Sequence, residues 1–288
     1  GDDAPGPRFY TSLLRGPFVD ALALDFARAA IAGEHLGQDD APDILAVSLS
    51  GHDYVNHAFS AESRLSHDHF LQLDRLLQAF FKDLDASVGK DNYVAVLTAD
   101  HGFQPAPEHS ASQGHASGRV NASQLLARLN AGLEKRFGEG RWLHGFSGAG
   151  VLLNEGFIAR TAHGVDAVAQ ELRALLLAEP AFAAAYTRGE LQAGSRAREP
   201  LFDAMRKAWH PQVSAQVQFA LKPYWMFGSS TSVATHGSPY AYDTQVPILM
   251  YGPSWIRPGR IGQRVEVVDI APTLAGLLRV EPPSASEG

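Results

Sequence analysis

The spacing of apolar residues along the chain predicts alternating helices and strands. Apolar side chains recur with a helical period over residues 18–36, 63–85, 121–136, 163–178 and 270–278. Shorter apolar runs predict strands at 43–50, 93–99, 213–221, 246–251 and 263–267, and residues 141–154 predict a hairpin. Because the first two strands flank the helix at 63–85, they favour a parallel pair with a right-handed crossover. The whole pattern predicts an α/β fold.

Three stretches fall outside this alternation. Residues 51–61 predict a loop after the first strand, and residues 103–120 predict a longer one. A loop of about 18 residues inside a compact domain is usually functional or mobile. Residues 181–210 are rich in Ala and Arg and predict a partly helical, peripheral insertion. The 288 residues suffice for one large α/β domain or two small ones, and we expect residues 1–288 to be part of a single domain.

Composition narrows the class of protein. With 45% hydrophobic and 19% charged residues, the chain is typical of a globular enzyme and not of a disordered protein. The net charge of −7 disfavours a nucleic acid polymer as partner. The absence of cysteine excludes thiolate metal sites, thiol nucleophiles and disulfides. No apolar run reaches the roughly 18 residues of a membrane span, and no signal peptide is visible at the start.

Five Asp and His residues beside the predicted strands are candidate metal ligands. They are Asp53 and His57 after the first strand, Asp100 and His101 after the second, and His236 before the run at 246–251. Open α/β sheets bind ligands at the carboxyl ends of their strands. Carboxylate oxygens with imidazole nitrogens suit Zn²⁺, Mn²⁺ or iron. Two such ions about 4 Å apart would stabilise both the attacking and the leaving oxygen of a phosphoryl transfer.

Each of these motifs alone also has a structural interpretation. A single Asp-His pair is more often structural than metal-binding, and five further histidines are expected at the surface: His67, His69, His144, His163 and His210. His52, His109 and His115 lie close to the motifs and fit either role. Three motifs beside predicted strands favour a metal site, although their spacing alone leaves both interpretations open.

Several stretches resemble the alkaline phosphatase superfamily. They are D-F-A-R-A-A-I-A-G-E-H-L-G (25–37), D-I-L-A-V-S-L-S-G-H-D-Y-V-N-H-A-F-S-A-E-S (43–63), V-L-T-A-D-H-G (96–102), H-G-S-P-Y-A-Y-D-T-Q-V-P-I-L-M-Y-G (236–252) and V-D-I-A-P-T-L-A-G-L-L (268–278). They resemble the bacterial alkaline phosphatases that are similar to type I phosphodiesterases and nucleotide pyrophosphatases, over roughly residues 16–282. The resemblance implies a three-layer α/β/α sandwich with a mostly parallel central sheet, whose N-terminal strands are missing from this chain.

The resemblance also implies roles for the candidate ligands. Asp53, His57 and His236 match the three protein ligands of one zinc ion, and Asp100 and His101 match two ligands of a second. The chain departs from the family pattern at Asn56, where Gly is usual, and at Ser60-Ala61, where Gly-Pro is usual. Both departures adjust the loop without removing a ligand.

In the resembled family, the Thr or Ser nucleophile and the first metal-binding Asp lie upstream of the matched region. Thr98, Ser48, Ser50 and Thr235 do not lie in a matching motif, so no catalytic nucleophile is identified. We therefore expect at most one well-formed zinc site here and little or no activity of this chain alone. No substrate-binding residue is predicted.

The resemblance implies zinc-dependent hydrolysis of a small-molecule phosphate ester by the intact enzyme, with phosphomonoesters favoured, in the periplasm or after secretion. Two alternatives stay open. One is a nucleotide pyrophosphatase or phosphodiesterase. The other is a non-catalytic protein that binds a metal or a phosphorylated ligand on a hydrolase scaffold. A sulfatase or phosphoglycerate mutase relative fits the H-G-S-P-Y segment less well.

Overall fold

The computed structural model describes residues 5–286, which divide into two compact units. The first unit comprises the described parts of 1–102 and 245–288, and the second comprises 103–244. The helices are α1 (Pro7–Leu13), α2 (Phe18–Gly33), α3 (Gly51–Phe59), α4 (Arg64–Leu84), α5 (Pro107–Ser112), α6 (Ala122–Phe137), α7 (Glu155–Ile158), α8 (Val165–Ala178), α9 (Arg188–Ala193), α10 (Phe202–Lys207), α11 (Ala241–Thr244) and α12 (Ile270–Leu278). The strands are β1 (Ala95–Leu97), β2 (Gly118–Val120), β3 (Leu143–Ser147), β4 (Gly150–Leu153), β5 (Phe182–Thr187), β6 (Val217–Leu221), β7 (Trp225–Phe227) and β8 (Leu249–Tyr251).

The helices that the apolar period predicts are all present, as α2, α4, α6, α8 and α12. Two of them begin at a side-chain cap. Ser63 Oγ accepts a hydrogen bond from the Ser66 N–H at the start of α4 (3.0 Å), and Asn121 Oδ1 accepts one from the Gln124 N–H at the start of α6 (3.0 Å).

The first unit has a small core between α2 and α4. Its buried apolar residues are Leu24, Ala27, Ile31 and Phe80. Beside this core, β1 pairs with β8 in an antiparallel ribbon, with Val96 opposite Met250.

The predicted strands at 43–50 and 263–267 are not formed. Residues 43–50 belong to no strand, and Ile44 is 70% exposed. An apolar run becomes a strand only where a neighbour supplies the other half of the hydrogen-bond ladder. Among the described residues, none pairs with either run in a sheet. The parallel pair predicted between 43–50 and 93–99 is therefore absent as well.

The second unit has a four-stranded sheet in the order β3-β4-β6-β5, with every pair antiparallel. Its first two strands are the predicted hairpin. The helices α6 and α8 contribute Leu125, Leu129, Leu172 and Leu176 to a large core that also buries Trp142. A separate ribbon pairs β2 with β7 in parallel. Among the strand pairs of residues 5–286, this is the one parallel pair. The strand pairings are therefore mixed, and not mostly parallel as predicted.

Two segments contain helices or strands that the sequence did not predict. Residues 103–120, predicted as a loop, contain α5 and β2. Residues 181–210 contain the strand β5 as well as the short helices α9 and α10. The strand F-A-A-A-Y-T has few β-branched residues, and its pairing with β6 outweighs the weak preference of alanine for strands.

Candidate metal centre

Two of the candidate ligands lie on one face of α3. The loop prediction for 51–61 is wrong, because residues 51–59 form this helix. The helix begins where the Gly51 N–H donates a hydrogen bond to Asp20 Oδ1 of α2 (2.9 Å). Residues four apart on a helix are neighbours. Asp53 Oδ1 accordingly lies 3.6 Å from His57 Nε2.

The loop after β1 brings a second imidazole to the same carboxylate. His101 Nε2 lies 3.9 Å from Asp53 Oδ1 and 3.7 Å from Asp100 Oδ2. The side chains of Asp53, His57 and His101 are 25–33% exposed, whereas that of Asp100 is 88% exposed. Two imidazoles thus lie beside one half-buried carboxylate, with a second carboxylate at the solvent side.

A backbone carbonyl fixes which nitrogen of His101 can bind a metal. His101 Nδ1 lies 2.8 Å from the Gly102 carbonyl oxygen. A carbonyl oxygen only accepts hydrogen bonds, so Nδ1 carries the proton. In the neutral ring, Nε2 then presents its lone pair toward Asp53, which is the arrangement of a metal-binding histidine.

Two distances in this cluster suit pairs of metal ligands. Two ligand atoms about 2.1 Å from a tetrahedral ion are about 3.4 Å from each other. The spacings of 3.6 Å and 3.9 Å from Asp53 Oδ1 to the two histidines are close to that value and longer than a good hydrogen bond. Asp53 with His57, and Asp53 with His101, are therefore each spaced as two ligands of a zinc-like ion.

His236 lies in the second unit. Its ring packs against Phe103, with the ring centroids 5.5 Å apart. Hydrogen bonds hold the segment on both sides of it, because the Gln104 N–H donates to the Thr235 carbonyl (3.0 Å) and the Ser238 N–H donates to Asp243 Oδ2 (2.7 Å). The ligand role of His236 stays a prediction.

The helix α3 is also anchored to α4 by polar residues that the sequence analysis did not single out. Ser66 Oγ donates a hydrogen bond to Asn56 Oδ1 (2.6 Å), and both side chains are buried.

The expectation that His69 is a surface residue is wrong, because it is 2% exposed and lies beside Asp20 and His52.

A signal for Asp20 is present in the sequence. Asp20 occupies the same spacing as the buried residues Leu24, Ala27 and Ile31 of α2, so a carboxylate lies on the apolar face of that helix. A charged residue there requires a buried partner. The buried neighbour of Asp20 is His69. Next to His69, His52 has its pKa lowered by burial and by His69, while Asp20 and Asp53 oppose the shift.

Comparison with known proteins defines the class of the chain. Residues 9–239 match the family model of type I phosphodiesterase / nucleotide pyrophosphatase. The chain belongs to this family, within the alkaline phosphatase superfamily, and the predicted resemblance is confirmed.

Individual relatives are similar over nearly the whole chain. Alkaline phosphatase PhoK from a Sphingomonas species is 34% identical, covering 95% of this chain and 50% of the relative. Alkaline phosphatase PafA from Elizabethkingia meningoseptica is 31% identical, covering 94% of this chain and 49% of the relative. A protein of Myroides odoratus named calcium-transporting ATPase is 32% identical, covering 97% of this chain and 51% of the relative. The chain therefore spans about half the length of these relatives.

The solved structures confirm the α/β fold class. The crystal structure of wild-type PafA matches with a TM-score of 0.89 at 30% identity, over 96% of this chain and 52% of that one. Among the residues that the structure describes, no helix is long and apolar enough to cross a membrane.

Proposed function

We propose that this chain carries metal ligands of a zinc-dependent hydrolase of phosphate esters, with phosphomonoesters as the favoured substrates. The observation that carries this proposal is the cluster of Asp53 with His57 and His101, at 3.6 Å and 3.9 Å, in a chain of this family. Relatives named as alkaline phosphatases support the choice of monoesters.

The residue roles follow the resemblance. The resemblance assigns Asp53 and His57 to one ion, with His236 as its predicted third ligand, and Asp100 and His101 to the other. When bound, the ions supply positive charge that stabilises the oxygens of a phosphoryl group during transfer. The Gly102 carbonyl keeps the proton of His101 on Nδ1 and so directs Nε2 to the site.

A small substrate fits the charge of the molecule. The chain has a net charge of −7, so an anionic ester is attracted only by local cations. Zinc ions at the Asp53 cluster provide that local attraction, and it is strongest for the dianion of a monoester.

Zinc affinity tests the centre directly. We expect the 288-residue chain to bind Zn²⁺ in competition with a chromophoric chelator, and Asp53→Asn and His57→Gln to weaken binding by more than about a hundredfold, since partners outside the ligand set alone are worth 10–100-fold. His67→Gln, an exposed histidine on the neighbouring α4, is the matched control and should leave the affinity unchanged. Equal affinity in all four proteins would overturn the centre.

Substrate preference is tested on the zinc-loaded chain by ligand binding. We expect methyl phosphate, a monoester, to bind more tightly than dimethyl phosphate, a diester. Tighter binding of the diester would favour the second candidate, a nucleotide pyrophosphatase or phosphodiesterase, which the family model over residues 9–239 supports.

Activity of the chain alone is a separate question. Thr98, Ser48, Ser50 and Thr235 do not lie in a motif that matches the nucleophile of the resembled family, so we expect little or no hydrolysis of 4-nitrophenyl phosphate above that of zinc without protein. Rapid zinc-dependent turnover would show that the nucleophile lies within these residues.

A further inference from the structure

A buried carboxylate and a buried imidazole lie beneath the first turn of α3. Asp20 of α2 is 1% exposed and His69 of α4 is 2% exposed. Asp20 Oδ1 accepts the hydrogen bond from the Gly51 N–H, and Asp20 Oδ2 lies 3.3 Å from His69 Nε2. Within residues 5–286, neither Asp20 Oδ2 nor His69 Nε2 makes a hydrogen bond, so the second contact is electrostatic.

His69 also contacts the imidazole of His52, the residue next to Asp53. His69 Nδ1 lies 3.1 Å from Nδ1 of His52. In this contact one Nδ1 atom donates a hydrogen bond and the other accepts it. The resulting order from the core outward is Asp20, His69, His52, and the chain neighbour of His52 is the proposed ligand Asp53.

The fit around Asp20 leaves no room for a side chain at residue 51. A Cβ atom on Gly51 would lie 2.5 Å from Asp20 Oδ2 and 3.0 Å from Oδ1. The N-terminus of a helix stabilises a negative charge, and its first N–H groups lack partners within the helix. Asp20 therefore fixes the position of the first turn of α3 from outside that helix.

We propose that Asp20 and His69 are positioning residues for the metal centre: their buried pair holds the first turn of α3 so that Asp53 and His57 point to one ion. This inference rests on the proposed function of the centre. Without the pair, α3 is still anchored by Ser66 through Asn56, so the helix persists while its first turn loses its fixed direction.

Zinc affinity and a spectroscopic signature separate positioning from general stability. Asp20→Asn keeps an acceptor for the Gly51 N–H but removes the charge. We expect its zinc affinity to fall 10–100-fold, and the visible absorption bands of the Co²⁺-substituted protein to shift, because the ligand geometry changes. The melting temperature without metal should change little by comparison. The exposed His67→Gln on α4 is again the control.

A pair of variants at His69 gives an independent comparison. His69→Gln retains a donor for Asp20 and should bind zinc nearly as well as the natural chain, whereas His69→Leu should bind 10–100-fold more weakly. Equal zinc affinity and identical Co²⁺ spectra in both His69 variants and in Asp20→Asn would overturn the inference, whatever their melting temperatures. If Asp53→Asn and His57→Gln also bind zinc normally, the metal centre itself is wrong, and this outcome is distinct from failure of the positioning role alone.

Discussion

Gly51 illustrates how a single residue can be required by its lack of a side chain. Its backbone φ lies in the ordinary range, yet a Cβ atom there would overlap the Asp20 carboxylate at 2.5 Å. The requirement is therefore one of space and not of backbone conformation. It lies at the start of the helix that carries Asp53 and His57.

We predict that Gly51→Ala lowers the free energy of unfolding by about 1–3 kcal/mol, because overpacking displaces a buried carboxylate and its partners. Urea denaturation without metal measures this change. Gly33→Ala is the matched control, since no atom lies within 4 Å of its added Cβ, and in a helix it should be neutral or stabilising by up to about 1 kcal/mol. Equal stability of the two variants would mean that α3 shifts freely away from Asp20.

At the scale of elements, one ion pair joins α5 to β2 within 103–120. Arg119 Nε and Nη2 donate to the two carboxylate oxygens of Glu108, each at 2.7 Å, and Nη2 also donates to the Val233 carbonyl (2.6 Å). The guanidinium lowers the pKa of Glu108 to about 2. This bidentate contact joins the two ends of the segment that the sequence predicts as a loop.

The lowered pKa of Glu108 gives a pH-dependent prediction. The folded-state pKa of about 2 lies below the ordinary value of 4.5, so the stabilisation is complete above pH 4.5 and is lost as the pH falls toward 2. Because the Glu108 side chain is 67% exposed, we expect at most about 1 kcal/mol. Urea denaturation should show that Glu108→Gln costs stability at pH 7 and less at pH 3.

Glu139→Gln, at another exposed glutamate of the same unit, is the control for this pH series and should change stability little at either pH. A constant difference between the natural chain and Glu108→Gln from pH 7 to pH 3 would contradict the prediction.

Helices could be predicted from this sequence better than strands, for a physical reason. The helix α4 makes its hydrogen bonds within its own residues, and its apolar period and the Ser63 cap are local. The run 43–50 requires partners from elsewhere in a sheet, which the apolar pattern alone cannot supply.

The candidate site could be predicted in part. Asp53, His57, Asp100 and His101 could be predicted as neighbours, because both the motif spacing and the family resemblance indicate them. The apolar face of α2 marks Asp20 as unusual, but its contact with Gly51 could not be predicted without the fold, because it spans 31 residues.

At the scale of the whole molecule, the two units differ in how much apolar surface they bury. The second unit buries Trp142, Leu125 and Leu172 almost completely, whereas the first exposes Phe26 and Ile44 at 76% and 70%. Burial of apolar surface is the main favourable term in folding. The first unit should therefore be the less stable of the two.

We predict two calorimetric unfolding transitions, the lower belonging to the first unit, which carries Asp53, His57 and His101. Zinc at about 100 times its dissociation constant should stabilise that unit by about 2.7 kcal/mol, because the ion binds only the folded site. Hydrogen exchange with mass spectrometry locates the effect, which should be largest in α3. A single transition, or equal protection of β3–β6 by zinc, would contradict this.

The cap that α2 provides for α3 also affects the order of folding. The nine residues of α3 are too few to form a stable helix alone, and Asp20 reaches Gly51 only after α2 has docked. The proposed ligands would then assemble after the folding transition state. Zinc should accordingly slow unfolding in stopped-flow experiments and leave the refolding rate unchanged. Zinc-accelerated refolding would instead place α3 in the folding nucleus. The metal would then speed the formation of the folded state as well as slow its loss.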